Sequence, residues 1–446
     1  YDNSGALATT VDSKTGITTK YYYDTLGRNT GMRESLESGN HYLDYTYDGL
    51  GRVTTFREIY AGSKYYTYYT YNGNNQVREV DAENSTEKYV YDPYERLTTW
   101  NTYHGTSTNP LIKKSIQYEE FTGNDGNKYT SNRPKVWSYE ADGYKVIYTY
   151  GYDANGNIVS ETLNQTIGQT TTQKTTTYVY DSANQLIREN NQAANKTWTW
   201  TYDNAGNIKS KMEYAYTTGT LGTVVATKTY SYKTGENEWR DLLTNYNGAA
   251  ITYDAIGNML SDGTRSYTWQ EGRQLATLSK GSTTWSFMYD SNGMRIKRSA
   301  GSTTYNYTYH GSQLTNMTYG SIKLHFSYDA SGKPLSFTYK YATDGEVTYY
   351  YMLNLQGDVV GILDSSGNQV VGYSYDAWGR LLATTGSKAS TLGYYNPLRY
   401  RGYVYDWETG LYYLESRYYN PEIGRFINAD SLVSTGQGVL GYNMFV

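Results

Sequence analysis

Aromatic and polar residues alternate with a period of two along most of the chain. In Tyr45-Thr46-Tyr47, in Trp198–Tyr202 and in Tyr305–Tyr309, every second position carries a ring and the positions between them are small or polar. This alternation is typical of a β-strand with one buried face. Because aromatic side chains pair well across neighbouring strands, we expect the rings of successive strands to stack into stripes on one face of a sheet.

A short motif follows these strands and recurs along the chain. It reads Tyr-Asp, two variable residues, Gly, a polar residue and an apolar residue. Clear copies begin at Tyr23, Tyr47, Tyr152, Tyr202, Tyr253, Tyr289, Tyr328 and Tyr375, and degenerate copies begin at Tyr71, Tyr91 and Tyr180. The Asp side chain can accept hydrogen bonds from backbone N–H groups two residues on, and the Gly supplies the backbone geometry of a reversal. Each unit of about 20 to 30 residues is therefore predicted to be a hairpin that packs against its neighbours.

The length of the chain constrains how these hairpins assemble. The chain has 446 residues without a compositional break, whereas one solid core supports roughly 250 to 300 residues. Strands twist, and a very long sheet can avoid exposed edges by winding round. The sequence predicts an all-β fold: a long, spiralling antiparallel sheet of hairpins that forms a hollow shell or part of one.

Composition narrows the class of protein further. Aliphatic residues are scarce, but 57 tyrosines and a net charge of −4 predict a folded chain that buries tyrosine rings instead. The chain has no basic patch of the kind that binds nucleic acid or an anionic membrane surface. No apolar run is long enough for a membrane span. There is no Cys, and four scattered His residues offer no metal-ligand spacing. We therefore expect no nucleic acid partner, no metal and no cofactor.

The Tyr-Asp units resemble the YD repeats of the Rhs family, which includes bacterial polymorphic toxins, the C subunits of insecticidal toxin complexes and the teneurins. The segment 350–446 resembles the Rhs-associated core, through Tyr375-Asp376-Ala377-Trp378-Gly379-Arg380, Tyr400-Arg401-Gly402-Tyr403, Arg417-Tyr418-Tyr419-Asn420-Pro421 and Gly424-Arg425-Phe426-Ile427. The resemblance implies a YD-repeat β-shell over residues 1–349 and a core over 350–446 that is incomplete at its C-terminal end. It also implies a secreted or cell-surface bacterial protein that encloses and helps to release its own C-terminal toxin.

The resemblance further implies chemistry near the end of the chain. The family's core is often a self-cleaving aspartyl peptidase, and by motif position Arg417 and Asp430 match its Arg and its first Asp. Two neighbouring carboxylates can share a proton and act as acid and base; the second Asp is expected beyond Val446. The string Asp430-Ser431-Leu432 departs from the family's Asp-Pro-x-Gly-Leu. The alternative is structural: Asp430 caps a turn and Arg417 is its ion-pair partner.

Three weaker signals remain. Residues 436–441 fit a G-x-G-x-x-G pattern without a surrounding βαβ unit, and Asp153–Asn157 is closer to a turn than to a calcium loop. The aromatic string Tyr65–Tyr69 could stack on sugar rings, although a half-buried strand needs the same residues. The alternative function is therefore an adhesive or carbohydrate-binding surface protein of the teneurin type, with cell-surface glycans as its partners.

Overall fold

The structure is a computed structural model that describes residues 1–235, 238–342, 344–430 and 443–445. Strands account for 60% of the chain and helices for 2%, so the predicted all-β fold is confirmed. Within each sheet the strands follow one another in chain order and pair in antiparallel fashion. The sheets contain 20, 14 and 4 strands.

The first sheet contains the following strands: β1 (Thr9–Val11), β2 (Thr18–Tyr23), β3 (Asn29–Leu36), β4 (Gly39–Tyr47), β5 (Val53–Tyr60), β6 (Ser63–Tyr71), β7 (Val77–Ala82), β8 (Ser85–Tyr91), β9 (Leu97–His104), β10 (Ile112–Thr122), β11 (Lys128–Ala141), β12 (Tyr144–Tyr152), β13 (Ile158–Ile167), β14 (Thr170–Tyr180), β15 (Leu186–Asn191), β16 (Lys196–Tyr202), β17 (Ile208–Ala215), β18 (Val224–Tyr232), β19 (Leu243–Tyr246) and β20 (Ala249–Ala250).

The second sheet contains β21 (Thr252–Tyr253), β22 (Met259–Ser261), β23 (Arg265–Gln270), β24 (Gln274–Lys280), β25 (Thr283–Tyr289), β26 (Arg295–Ala300), β27 (Thr303–His310), β28 (Gln313–Tyr319), β29 (Ile322–Tyr328), β30 (Pro334–Tyr341), β31 (Val347–Leu353), β32 (Val359–Leu363), β33 (Gln369–Tyr375) and β34 (Leu381–Thr385). A helical turn α1 (Leu392–Tyr395) and a 3-10 turn (Tyr400–Gly402) lead to the third sheet, which contains β35 (Val404–Asp406), β36 (Leu411–Leu414), β37 (Arg417–Asn420) and β38 (Arg425–Phe426).

The Tyr-Asp motif forms the turns between strands, as the sequence predicts. At Asp24, the carboxylate oxygen Oδ1 accepts hydrogen bonds from the N–H groups of Leu26 (2.9 Å) and Arg28 (3.0 Å). Gly27 adopts a φ of 78°, a conformation that glycine reaches without steric cost. The same two Asp hydrogen bonds recur at Asp48, Asp203, Asp254, Asp290, Asp329 and Asp376. The predicted role of Asp in ending the strand is confirmed at these turns.

The tyrosine of the motif ties each repeat to the preceding one. Its hydroxyl donates to a backbone carbonyl of the strand before it, as in Tyr71 to Val53 (2.7 Å) and Tyr152 to Pro134 (2.6 Å). The strand register shifts by one residue at each of these tyrosines. Further hydroxyl bonds of this kind occur at Tyr47, Tyr91, Tyr180, Tyr202, Tyr232, Tyr309, Tyr328 and Tyr375. The repeat therefore continues through Tyr232 and Tyr309, where no Asp follows and the sequence motif is not visible.

The alternating rings lie on the buried face. Trp198 and Trp200 are both buried, whereas Thr201 next to them is exposed. Across the β27–β28 pair, the rings of Tyr305 and Tyr319 stack with their centroids 4.4 Å apart. The aromatic stripes that the alternation predicts are thus present.

The chain divides into two compact units. Unit 1 comprises Tyr1–Ser115, Ser286–Met352 and Ile362–Asn368, and unit 2 comprises Ile116–Trp285, Leu353–Gly361 and Gln369–Val446. Both units draw strands from the first and second sheets. The predicted boundary between residues 349 and 350 remains a prediction.

Unit 1 contains a buried polar network. His41 lies between two carboxylates, with Nδ1 3.1 Å from Glu34 Oε2 and Nε2 2.6 Å from Glu58 Oε1. Burial by itself lowers the pKa of His41, but the hydrogen bonds to Glu34 and Glu58 outweigh it and raise the pKa to about 9. Thr315 donates its hydroxyl to Glu58 (2.6 Å), and His325 Nδ1 lies 3.7 Å from the same carboxylate. Two of the four histidines therefore belong to a network that joins strands of both sheets within unit 1.

Candidate functional site

The two residues that the core resemblance singles out, Arg417 and Asp430, lie together in unit 2. Arg417 Nη2 is 3.1 Å from Asp430 Oδ2. The guanidinium also lies over the ring of Phe426, 3.5 Å from its centroid. Arg417 is the first residue of β37, which pairs with β38 in antiparallel fashion. Because the strands run in opposite directions, the chain after β38 passes the start of β37, where the N–H of Ile427 donates to Tyr418 O at 2.9 Å.

The backbone at Asp430 and just before it is held by hydrogen bonds to Met444 and Phe445. The N–H of Asp430 donates to Met444 O at 2.8 Å, and Phe426 N–H donates to Phe445 O at 3.0 Å. Ala429, one residue earlier, is buried in a cluster with Leu242 and Phe445. Asp430 therefore extends from a fixed backbone.

Burial controls the electrostatics of the pair. Only 19% of the Arg417 side chain and 23% of the Asp430 side chain are exposed. Burial lowers the pKa of the Arg417 guanidinium, and the neighbouring Asp430 carboxylate opposes that shift. Such a partly buried pair is compatible with either of two roles: a catalytic carboxylate held in position by Arg417, or a structural ion pair.

Arg425 anchors the same region, a role that the sequence analysis missed. Its Nη1 donates to Asn207 Oδ1 (3.0 Å) and Tyr232 Oη (3.3 Å), while Nη2 donates to Asp241 O (2.9 Å) and Asn443 Oδ1 (3.2 Å). The side chain is 2% exposed. The Gly-Arg-Phe string marked Arg425 as notable, but three of its four partners lie 184 to 218 residues away in sequence, beyond what a local pattern reveals.

Aromatic side chains of β11 and β12 bind the backbone at the end of β31 and just after it. Trp137 donates its indole N–H to Leu353 O at 3.1 Å, and the N–H of Leu353 donates to the hydroxyl of Tyr139 at 3.1 Å. The N–H of Leu355 donates to the hydroxyl of Tyr150 at 3.2 Å. The buried face of the tyrosine-rich strands in unit 2 is therefore where the segment after β31 is attached.

The weaker sequence signals can be placed as well. Asp153 forms a Tyr-Asp turn, with Oδ1 accepting from Asn157 N–H at 2.9 Å, as the turn interpretation predicts. In the string Tyr65–Tyr69 the rings divide between both faces of β6: Tyr65 is buried, while Tyr66 and Tyr68 stack in parallel 6.1 Å apart and Tyr68 is 46% exposed. The glycine pattern at 436–441 lies outside the described residues.

Two general features of the described residues bear on function. No group of three or more His, Cys, Asp or Glu side chains among them is placed to hold a metal ion. No helix in the described part of the chain has the length and apolar character that a membrane crossing requires.

Comparison with known proteins gives the class. The teneurin YD-shell family model matches residues 132–437, more than half of the chain. A chain whose Tyr-Asp turns and tyrosine hydroxyl bonds repeat through long antiparallel sheets has the architecture expected of such a shell. The chain belongs to the YD-shell family, and the predicted Rhs/YD resemblance is confirmed.

Several curated relatives are nucleases or toxins. The tRNA3(Ser)-specific nuclease WapA of Bacillus spizizenii is 36% identical over 261 residues, which is 56% of this chain and 10% of that protein. The double-stranded DNA deaminase toxin A of Burkholderia cenocepacia is 25% identical over 323 residues, 64% of this chain and 21% of that protein. The chain thus spans about a tenth of the length of this WapA.

Solved structures share the fold. The TcdB2-TccC3-Cdc42 crystal structure superimposes with a TM-score of 0.61 at 17% identity, covering 99% of this chain and 26% of that one. The Photorhabdus luminescens Tc holotoxin pore gives a TM-score of 0.58 at 18% identity, covering 100% of this chain and 26% of that one. These structures are Rhs/YD shells. The comparisons favour the shell over the adhesive alternative.

Proposed function

We propose that this chain is part of a shell that encloses a C-terminal toxin segment within a secreted or cell-surface bacterial protein. The observation that carries the proposal is the attachment of residues 353–355 to the buried face of the tyrosine-rich strands, through Trp137, Tyr139 and Tyr150. The toxin and nuclease relatives support it, since each is far longer than the segment it shares with this chain.

The physical mechanism is exclusion. In a sheet of paired strands, the backbone N–H and C=O groups are hydrogen-bonded to neighbouring strands. They are therefore not available to pair with the active site of a protease, which binds its substrate as an extended strand. The Tyr-Asp turns and tyrosine hydroxyl bonds hold successive hairpins in register. The β-sheets, which form the wall of the proposed shell, therefore have few places where they can unfold locally. A segment behind such a wall is shielded from proteases outside.

Protease protection tests the proposal in the longer native polypeptide that contains this chain. We expect the segment that follows the core to survive a nonspecific protease at a concentration that digests the same segment expressed alone. A variant that weakens the anchor, Arg425→Met, should shorten this protection at least severalfold. The matched control, Arg240→Met, changes an exposed arginine and should leave protection unchanged. Digestion of the segment at equal rates in both contexts would contradict enclosure.

A second proposal concerns the Arg417–Asp430 pair. We propose that Asp430 is one carboxylate of a self-cleaving aspartyl peptidase and that Arg417 holds this carboxylate in position. The 3.1 Å ion pair on a fixed backbone supports this assignment.

The Asp430→Asn variant separates the peptidase from the structural alternative. In the longer polypeptide, wild type should be cut once on the C-terminal side and Asp430→Asn should remain intact, since an amide cannot supply carboxylate base chemistry. Arg417→Ala should slow the cut. Equal cutting of wild type and Asp430→Asn, read by mass spectrometry, would show that the pair is only structural.

A further inference from the structure

Three side chains from separate parts of unit 2 converge at the turn before β34. Lys211 on β17 places Nζ 2.8 Å from Asp376 Oδ2. The Asp376 side chain is fully buried, the Lys211 side chain is 11% exposed, and Glu189 on β15 is 1% exposed. Glu189 Oε2 accepts the N–H of Ala377 at 3.3 Å, which places its carboxyl against the Asp376–Ala377 peptide.

The other carboxylate oxygen of Asp376, Oδ1, accepts hydrogen bonds from two backbone N–H groups. Oδ1 accepts hydrogen bonds from the N–H groups of Trp378 and Arg380, each at 3.0 Å. Two backbone donors on one oxygen are the arrangement that stabilises the oxyanion of an acyl-transfer intermediate. Asp376 is the acid of the Tyr375 repeat, so the Tyr-Asp turn itself builds this arrangement.

The surroundings of Lys211 are aromatic. Its Nζ lies 5.5 Å from the ring centroids of both Trp198 and Trp200, and Trp378 lies 6.4 Å from Trp200. Arg380 Nε also donates to Asp376 Oδ2 at 3.3 Å, so a proton has to pass from Lys211 to the carboxylate before the amine can attack. The neutral amine is the nucleophilic form.

Glu189 is suited to carry the proton. Burial, followed by the nearby Asp376 carboxylate, raises the pKa of Glu189 from 4.5 to about 7. A carboxyl group with such a pKa can both donate and accept a proton near neutral pH. Asn191 Nδ2 donates to Glu189 Oε1 at 3.0 Å and fixes the orientation of the carboxyl.

We infer that Lys211 and Asp376 join in an intramolecular isopeptide bond, with Glu189 carrying the proton. A proton first passes from Lys211 Nζ to Asp376 Oδ2. The Nζ lone pair then attacks Asp376 Cγ, and the N–H groups of Trp378 and Arg380 hold the negative charge that develops on Oδ1. Glu189 relays a second proton from Nζ to Oδ2, the Cγ–Oδ2 bond breaks, and water leaves. An amine and a carboxylic acid become an amide and one water, with no oxidant or reductant.

This bond would tie β17 to the turn between β33 and β34 within unit 2. The cross-linked residues are 165 positions apart in sequence. A covalent link over that distance constrains the unfolded chain and so resists unfolding of the segment between them.

Mass spectrometry of this chain, denatured after purification, tests the inference. We expect the intact mass to fall below the sequence mass by one water, about 18 Da. Proteolytic digestion should yield a branched peptide that contains both Lys211 and Asp376. Lys211→Arg keeps the positive charge and should restore the full mass, and Glu189→Gln should also restore it. The matched control Lys196→Arg changes a lysine on the adjacent strand, 42% exposed in its pair with Glu213, and should keep the deficit.

The outcomes are exclusive. A folded wild type at its full sequence mass would show that Lys211 and Asp376 form an ion pair only, and would overturn the inference. A deficit that maps to a cyclised Asp-Gly step, such as Asp142-Gly143, would overturn it as well. A branched peptide formed equally in Glu189→Gln would refute the role of Glu189. Circular dichroism of each variant confirms that the fold is retained, so that a restored mass reports chemistry.

Discussion

Substitution of Glu161 by Gln should remove a pH dependence from the stability of unit 2. Glu161 on β13 pairs directly with Tyr150 on β12, and its carboxyl faces Asp358 in the turn before β32. Burial, followed by the Asp358 charge, raises the pKa of Glu161 from 4.5 to about 7. The titratable groups around it also include Tyr148, Tyr178 and Glu189, none of which supplies a positive charge.

The sign and size follow from linkage. A carboxyl whose pKa is higher in the folded state binds protons more tightly there, so its stabilising contribution is complete below about pH 4.5 and is lost as the pH rises through 7. Each pKa unit corresponds to about 1.4 kcal/mol, so the full loss is on the order of 3 kcal/mol. As the pH rises from 5 to 8.5, the ionisation of Glu161 alone should lower the free energy of unfolding by roughly 2 to 3 kcal/mol.

Urea unfolding followed by tryptophan fluorescence measures this loss. As the pH rises from 5 to 8.5, the free energy of unfolding of wild type should fall relative to that of Glu161→Gln, because Gln keeps the shape of the Glu side chain and cannot ionise. The control Glu140→Gln, on a side chain that is 48% exposed, should follow the wild-type curve. Parallel curves for wild type and Glu161→Gln across this range would refute the argument.

Three further changes test the packing. Tyr71→Phe removes the hydroxyl bond to Val53 and should cost about 1 kcal/mol in urea unfolding; an unchanged midpoint would mean that this bond has no net weight. Ala61→Asn should stabilise by about 1 kcal/mol, because Ala61 (φ 48°) precedes Gly62 (φ 85°) in a turn that favours Asn-Gly, and a lower midpoint would contradict this. Arg425→Met leaves buried polar partners unpaired and should cost about 3 kcal/mol or more; a loss below about 1 kcal/mol would show that Arg425 is not an anchor.

The repeating local structure could be predicted from the sequence because its determinants lie within a few residues. The strand comes from the alternation before Tyr47, and the turn comes from Asp48 and Gly51 after it. Where the sequence drifts, the geometry still holds: Asn75 and Glu95 occupy the glycine position of degenerate repeats with φ of 63° and 64°. Backbone strain at these two positions is tolerated because the hydrogen bonds of the hairpin are retained.

The long-range contacts could not be predicted in this way. The repeats at Tyr232 and Tyr309 lack the Asp that marks the motif, and their hydroxyl bonds to the preceding strand and their register shifts reveal them. The partners of Arg425 and Lys211 depend on which strands pack against the C-terminal segment. The spacing of residues along the sequence does not predict this packing. Arg417 and Asp430 were found through resemblance alone, and their ion pair shows only that the fold brings them together.

Cryo-electron microscopy of the longer native polypeptide tests the enclosure of the toxin segment most directly. The account predicts density for the segment after the core on the side of the wall that carries Trp137, Tyr139 and Tyr150, bounded by the β-sheets. Density for that segment outside the wall, with the sheets intact, would contradict it.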